Sequence, residues 1–186
     1  VWAVNIISAP GSGKTSLLEK TLPALAEDLP GAVIVGDLQT TRDAERLAAV
    51  NAPATQVNTE GGCHLSAEQV ARALETLDLS ALKLLFIENI GNMVCPTSFD
   101  LGEHARVAML SVPEGDDKVA KYPTLFQPAD VILINKIDLL ELLDYDLDRV
   151  LTDIARLNTR APILQLSTKT GDGMDAWFEW LREVAE

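Results

Sequence analysis

Basic residues are scarce and never clustered: 15 Lys and Arg stand against 28 Asp and Glu, a formal net charge of −13. With no concentrated positive charge, the sequence argues against a nucleic-acid partner and against an anionic membrane surface. Long apolar runs are also missing. Residues 84–87 and 131–134 form strand-sized stretches, far short of the roughly 20 residues that cross a bilayer. Cysteine is limited to Cys63 and Cys95, too few for a disulfide framework and better suited to free thiols in a reducing cytoplasm. There is no basic n-region and no initiator Met before the first strand, so a signal peptide is not expected and a trimmed start is. Repeats, low-complexity tracts and linkers are absent too.

What remains is a chain of 186 residues, 47% hydrophobic and 23% charged, the profile of one ordinary domain over residues 1–186 with a real core. Apolar strand-like runs at 1–8, 32–36, 82–88, 107–112, 131–135 and 162–167 alternate with helical patterns at 15–29, 42–50, 66–77, 146–157 and 174–184. Ser66 and Gln69 are spaced as a capping box. Such alternation predicts an α/β fold, a mostly parallel sheet with helices on both faces, and ligands at the carboxyl ends of the strands. The chemistry-bearing residues all follow strands.

The first is a Gly-rich phosphate loop, Ser8, Ala9, Pro10, Gly11, Ser12, Gly13, Lys14 and Thr15, with Ser8 where Gly is usual. The amides of Gly11, Ser12, Gly13, Lys14, Thr15 and Ser16 sit at a helix N-terminus, where an anion is favoured. Lys14 is expected to reach the β/γ-phosphates, and Thr15 to hold Mg²⁺. The second is Asn135, Lys136, Ile137 and Asp138 after a buried strand. The Asp138 carboxylate matches the paired donors of guanine, which adenine lacks, and so selects GTP/GDP. Ser167, Thr168 and Lys169, at another strand end, can offer an amide to the guanine O6. Asp37 is expected to orient water or to hold Mg²⁺ through one, with Asp43 sharing the task, and Gly91 after Glu88 is a natural γ-phosphate sensor. Near these strands no catalytic glutamine or arginine finger is evident, so turnover should be slow.

The third constellation is Cys63 and His64 after a Gly pair, with Cys95 in a separate loop. Thiolate with imidazole suits Ni²⁺ or Zn²⁺. Three ligands leave a fourth to water or to a second copy in a symmetric dimer. Cys95 follows Gly91 by four residues, so phosphate state and metal affinity are expected to be linked, reciprocally. His104 reads as structural. The charged 114–118 loop reads equally as solvated or as approaching nucleotide or a partner.

Together these residues resemble the hydrogenase nickel-incorporation GTPases, the HypB family. The matching stretches are 8–15; Gly36, Asp37, Leu38, Gln39 and Thr40 with Asp43 and Ala44; Gly62, Cys63, His64 and Leu65; 88–92; 94–96; 99–103; 111–118; and 135–138. They span essentially the whole chain. The resemblance implies a P-loop GTPase that dimerises with nucleotide or metal and supports Ni²⁺ delivery during [NiFe]-hydrogenase maturation, alongside a second nickel chaperone and the hydrogenase large subunit. It implies that Cys63, His64 and Cys95 hold Ni²⁺ or Zn²⁺ at the dimer interface. The N-terminal Cys-rich or His-rich metal store of some members is not expected here. Two rivals are a urease-accessory GTPase, whose Cys-Pro-His motif differs from the directly joined Cys63 and His64, and a nucleotide-gated metal-binding module with little turnover.

Overall fold

A computed structural model describes residues 1–37, 42–59 without 51, and 61–185, with the side chain of Arg42 left aside. Leu38, Gln39 and Thr40, part of the family pattern, lie outside the described residues. The strands are β1 Trp2–Ser8, β2 Gly31–Asp37, β3 Ala54–Asn58, β4 Leu84–Glu88, β5 Ala105–Ser111, β6 Val131–Asn135 and β7 Ile163–Gln165. The helices are α1 Lys14–Leu25, α2 Arg42–Ala49, α3 Ala67–Leu74, α4 Lys118–Lys121, α5 Pro123–Phe126, α6 Leu147–Leu157 and α7 Met174–Ala185.

The sheet order is β3-β2-β4-β1-β5-β6-β7, and every pairing is parallel. "Mostly parallel" thus becomes fully parallel among the described strands. Alternate strand residues feed opposite faces, as the two-residue pleat requires. Val4, Ile6, Val107 and Met109 pack beneath α1 and α7 with Leu17, Leu18, Trp177 and Leu181. Ile7, Ala108, Leu110, Ile132 and Ile134 meet Phe126, Val150 and Ile154 on the other face, where Ala3, Ile34 and Ile87 meet Val70 and Ala73 of α3. Near-continuous apolar strands are the natural result of this two-sided burial. The Trp177 indole N–H donates to Thr21 Oγ1 at 2.9 Å, tying α7 to α1.

Ser66 does cap α3 through the expected box with Gln69, and Asp146 caps α6. Several element ends differ from the sequence pattern by a few residues, and one strand lies outside it. The first helix ends at Leu25 rather than Leu29 and accommodates Pro23 inside its last turn. Residues 54–58 form an edge strand that hydrophobicity did not reveal, because it is only half-buried and carries Thr and Gln. Glu88 consequently closes the fourth strand rather than the third.

Candidate functional site

β1 delivers its C-terminal end into the turn before α1, and the left-handed backbone of Gly11 (φ 76°) and Gly13 (φ 106°) shapes that turn. At Gly13 a Cβ would fall 2.4 Å from Asn135 Nδ2. Lys14 donates to Ser8 Oγ at 3.0 Å and lies 3.4 Å from the Ala9 carbonyl. Ser8 thus gives the lysine a side-chain acceptor that glycine would not. Burial lowers the Lys14 pKa, opposed by the charges of Glu88, Asp43 and Glu114.

Thr15 Oγ1 donates to Glu88 Oε1 at 2.7 Å. Glu88 was visible in sequence without a role. Its other oxygen, Oε2, is buried with no hydrogen-bond partner among the described residues, and burial pushes the carboxyl up to about 7 despite the Thr15 bond and the Lys14 charge. Asp37 and Asp43 line the same cleft, with Gly36 and Gly91. A hydroxyl beside an orphaned buried carboxylate oxygen and two further carboxylates is a donor set that fits a hard cation such as Mg²⁺. The cleft encloses about 440 Å³, within the range of small-molecule sites.

An arginine to which the sequence reading gave no role reaches this cleft. Arg46 of α2 lines it, bonded to Glu19 Oε2 at 2.7 Å and Ser16 Oγ at 3.1 Å. Its place in the sequence gave no hint, because only the packing of α2 on α1 brings it there.

The guanine-type loop meets the phosphate loop directly. Asn135 Nδ2 donates to the Ser12 carbonyl at 2.8 Å, and Asn135 Oδ1 accepts from the Thr168 amide at 3.1 Å. Asn135 therefore fastens two loops together rather than facing a base. Lys136, held left-handed at φ 63°, donates to the Gly11 carbonyl at 2.6 Å. Asp138 Oδ1 accepts from Ser167 Oγ at 2.6 Å, and Lys169 is exposed. Of this group only Lys136 and Thr168 line the phosphate-loop cleft, and Asp138 and Lys169 stand outside its lining. The 114–118 loop splits: Glu114 Oε1 accepts from Ser12 Oγ at 2.6 Å and from the Ser111 amide and hydroxyl, while Asp116 faces Arg149. Glu114 thus braces the phosphate loop.

Gly91 presses on that loop from the other side; a Cβ there would fall 2.8 Å from Pro10 Cα. The next residue, Asn92, donates to the Cys63 carbonyl at 3.3 Å and accepts from the Val94 and Cys95 amides at 2.8 and 3.3 Å. Both cysteines are free. The neighbouring Cys95 thiol raises the pKa of Cys63, while Cys63 and then Asn92 lower that of Cys95. Cys63 Sγ is 3.6 Å from His64 Nδ1, and the His64 ring stacks on Phe99 at 3.7 Å between centroids. The three candidate ligands are therefore neighbours, although among the described residues no group of three such side chains is already arranged around a metal position. His104 is structural: its Nδ1 accepts from the Ala3 amide and its ring stacks on Trp2.

A family model described as "CobW/HypB/UreG, nucleotide-binding domain" matches residues 2–165. The hydrogenase maturation factor HypB of Escherichia coli K12 is 49% identical over 178 residues, covering 96% of this chain and 61% of the relative; the chain thus spans under two thirds of that protein's length. A crystal structure of HypB from Helicobacter pylori in complex with nickel superposes with a TM-score of 0.94 at 41% identity, covering 100% of this chain and 87% of the other. The signal recognition particle receptor FtsY of Elizabethkingia anophelis, in complex with GDP, gives a TM-score of 0.61 at 13% identity, covering 93% and 58%. That likeness speaks for the fold alone.

Proposed function

The chain belongs to the HypB branch of the CobW/HypB/UreG family, and from that premise we propose a GTPase whose nucleotide state governs Ni²⁺ binding and delivery during [NiFe]-hydrogenase maturation. The observation that carries this reading is Asn92. One side chain, adjacent to Gly91, is bonded to both cysteine loops, so a γ-phosphate that draws Gly91 inward acts on both at once.

In the nucleotide cycle, Lys14 leaves Ser8 and Ala9 for the β- and γ-phosphate oxygens. The amides of residues 11–16 cradle the β-phosphate, and Asp138, oriented by Ser167, takes the guanine donors. Thr15 and Glu88, with Asp37, would hold Mg²⁺, which when bound neutralises charge between the β- and γ-phosphates. Asp37 and Asp43 orient the attacking water. Arg46 is engaged by Glu19 and Ser16, so it is not free to neutralise the transition state, and intrinsic turnover is slow.

Ni²⁺ is cargo here, taken by the Cys95 and Cys63 thiolates and the His64 imidazole, with Zn²⁺ as a competitor of the same ligand preference. Val94 and Phe99, 54% and 40% exposed beside this cluster, suit burial against a second copy, which would complete the coordination in a homodimer. A second nickel chaperone and the hydrogenase large subunit are the proposed donor and acceptor, in a reducing cytoplasm. Ni²⁺ titration of the GDP-bound and GTP-analogue-bound protein, combined with sizing and single-turnover hydrolysis, tests the reading. Affinities should differ between states, and Lys14→Ala should abolish hydrolysis. Equal affinities would sink the metal switch. Nickel binding that depends on nucleotide without any turnover would favour a gated metal-binding module instead.

A further inference from the structure

Asn5 sits in the middle of β1, wholly buried between Val4 and Ile6. Asn is a poor strand residue, and its amide is costly to bury unless bonded. Its bonds lead in two directions. Asn5 Oδ1 accepts from Asn89 Nδ2 at 3.2 Å, and Asn89 Oδ1 accepts from the Ile90 amide at 3.0 Å and lies 3.4 Å from the Leu65 amide. Asn5 Nδ2 donates to Glu103 Oε1 at 3.1 Å, and Glu103 pairs with Arg106 at 2.6 Å. Arg106 then donates to the carbonyls of Thr97 and Phe99, both at 3.1 Å.

The ends of this chain of bonds coincide with the two cysteine loops. Leu65 follows His64, Thr97 and Phe99 follow Cys95, and Asn89 lies between Glu88 and Gly91 in the phosphate-sensing turn. A polar chain used only to fix strand register would not need to end on those loops. An apolar residue at position 5 would serve the core at least as well, since satisfied buried polar groups add little net stability.

We propose that Asn5, Glu103 and Arg106 are positioning residues that transmit movement of the 88–91 turn to the far sides of both metal-bearing loops. The inference rests on the linkage of nucleotide state to metal affinity proposed above. Asn92 joins the near sides of the loops; the buried relay fixes their backbones from beneath, so that the loops shift as a pair when Asn89 moves. None of the three positioning residues lines the nucleotide cleft.

The test compares wild type, Asn5→Val, Arg106→Lys and the double variant by Ni²⁺ titration in GDP and in a GTP analogue, with melting temperature and single-turnover GTP hydrolysis as controls. Valine suits a buried strand, and lysine keeps the ion pair with Glu103 while losing the planar fork that reaches two carbonyls. The ratio of the two Ni²⁺ affinities should fall by roughly three-fold or more in each single variant, the scale expected of residues that touch neither ligand. Hydrolysis should stay within about two-fold, because the nucleotide contacts are intact, and the double variant should be no worse than the stronger single, as for one shared route. Should Asn5→Val fail to fold, Arg106→Lys alone decides. A wild-type ratio retained by the folded variants overturns the relay and leaves the metal switch standing; a ratio of one in the wild type itself overturns the switch and the relay with it.

Discussion

Replacing Glu88 by Gln should make the nucleotide-free protein more stable at alkaline pH and leave it unchanged in acid. In the fold, burial lifts the Glu88 carboxyl from its ordinary 4.5 to about 7. The Thr15 hydroxyl, Lys14 and Arg46 favour the carboxylate, and Asp43 opposes it. Between pH 4.5 and 7 the folded protein therefore holds a proton that the unfolded chain releases, so this group's contribution to stability falls as pH rises. Across that interval the loss is about 3 kcal/mol at roughly 1.36 kcal/mol per pH unit. Gln keeps an oxygen for the 2.7 Å Thr15 bond and has no charge to desolvate. Melting curves without nucleotide or divalent cation should coincide for the two proteins near pH 4.5 and separate by about 6–12 °C near pH 8, with the Glu88→Gln variant the more stable. Adding Mg²⁺ with GDP should stabilise the wild type more than the variant, which keeps the loop contacts to the nucleotide but lacks the carboxylate for the cation. Curves that stay parallel across pH, or a wild type more stable at pH 8, would refute the argument that Glu88 is held as an uncompensated buried acid awaiting a cation.

Asp138→Asn should weaken GTP and GDP by about a hundred-fold, while a xanthine nucleotide, whose 2-carbonyl accepts from the new amide, should gain; displacement titrations with both bases check this, and an unchanged guanine preference contradicts it. Gly91→Ala places a Cβ 2.8 Å from Pro10 Cα, forcing the sensing turn off the phosphate loop. GTP-analogue affinity should drop more than GDP affinity, and equal losses would show that Gly91 does not sense the γ-phosphate. Trp177→Phe removes the 2.9 Å bond to Thr21 and leaves a small cavity. It should cost about 2–3 kcal/mol in chemical denaturation without altering nucleotide affinity, since neither Trp177 nor Thr21 lines the cleft.

The sequence alone determined what local patterns determine. Eight consecutive residues specified the turn from β1 into α1, because Gly11 and Gly13 permit its left-handed backbone and Lys14 and Thr15 supply its chemistry. Apolar runs announced the buried strands, since a residue pointing into either face of a doubly covered sheet must be apolar. Ser66 and Gln69 announced their cap across one helical turn. β3 escaped because an edge strand is half-exposed and carries no such signature.

Tertiary structure decided everything that depends on which strands lie side by side. Glu88 becomes a buried partner of Thr15, 73 residues away in sequence, only because β4 lies against β1, and its altered acidity arises from desolvation that no residue spacing encodes. Arg46 reaches the cleft through the packing of α2 on α1. Cys63 and Cys95 were recognisable as candidate ligands by type, but their shared tether at Asn92 required the fold. So did the Asn5 chain, whose members are scattered along the sequence and meet only where a buried amide must find partners across neighbouring strands.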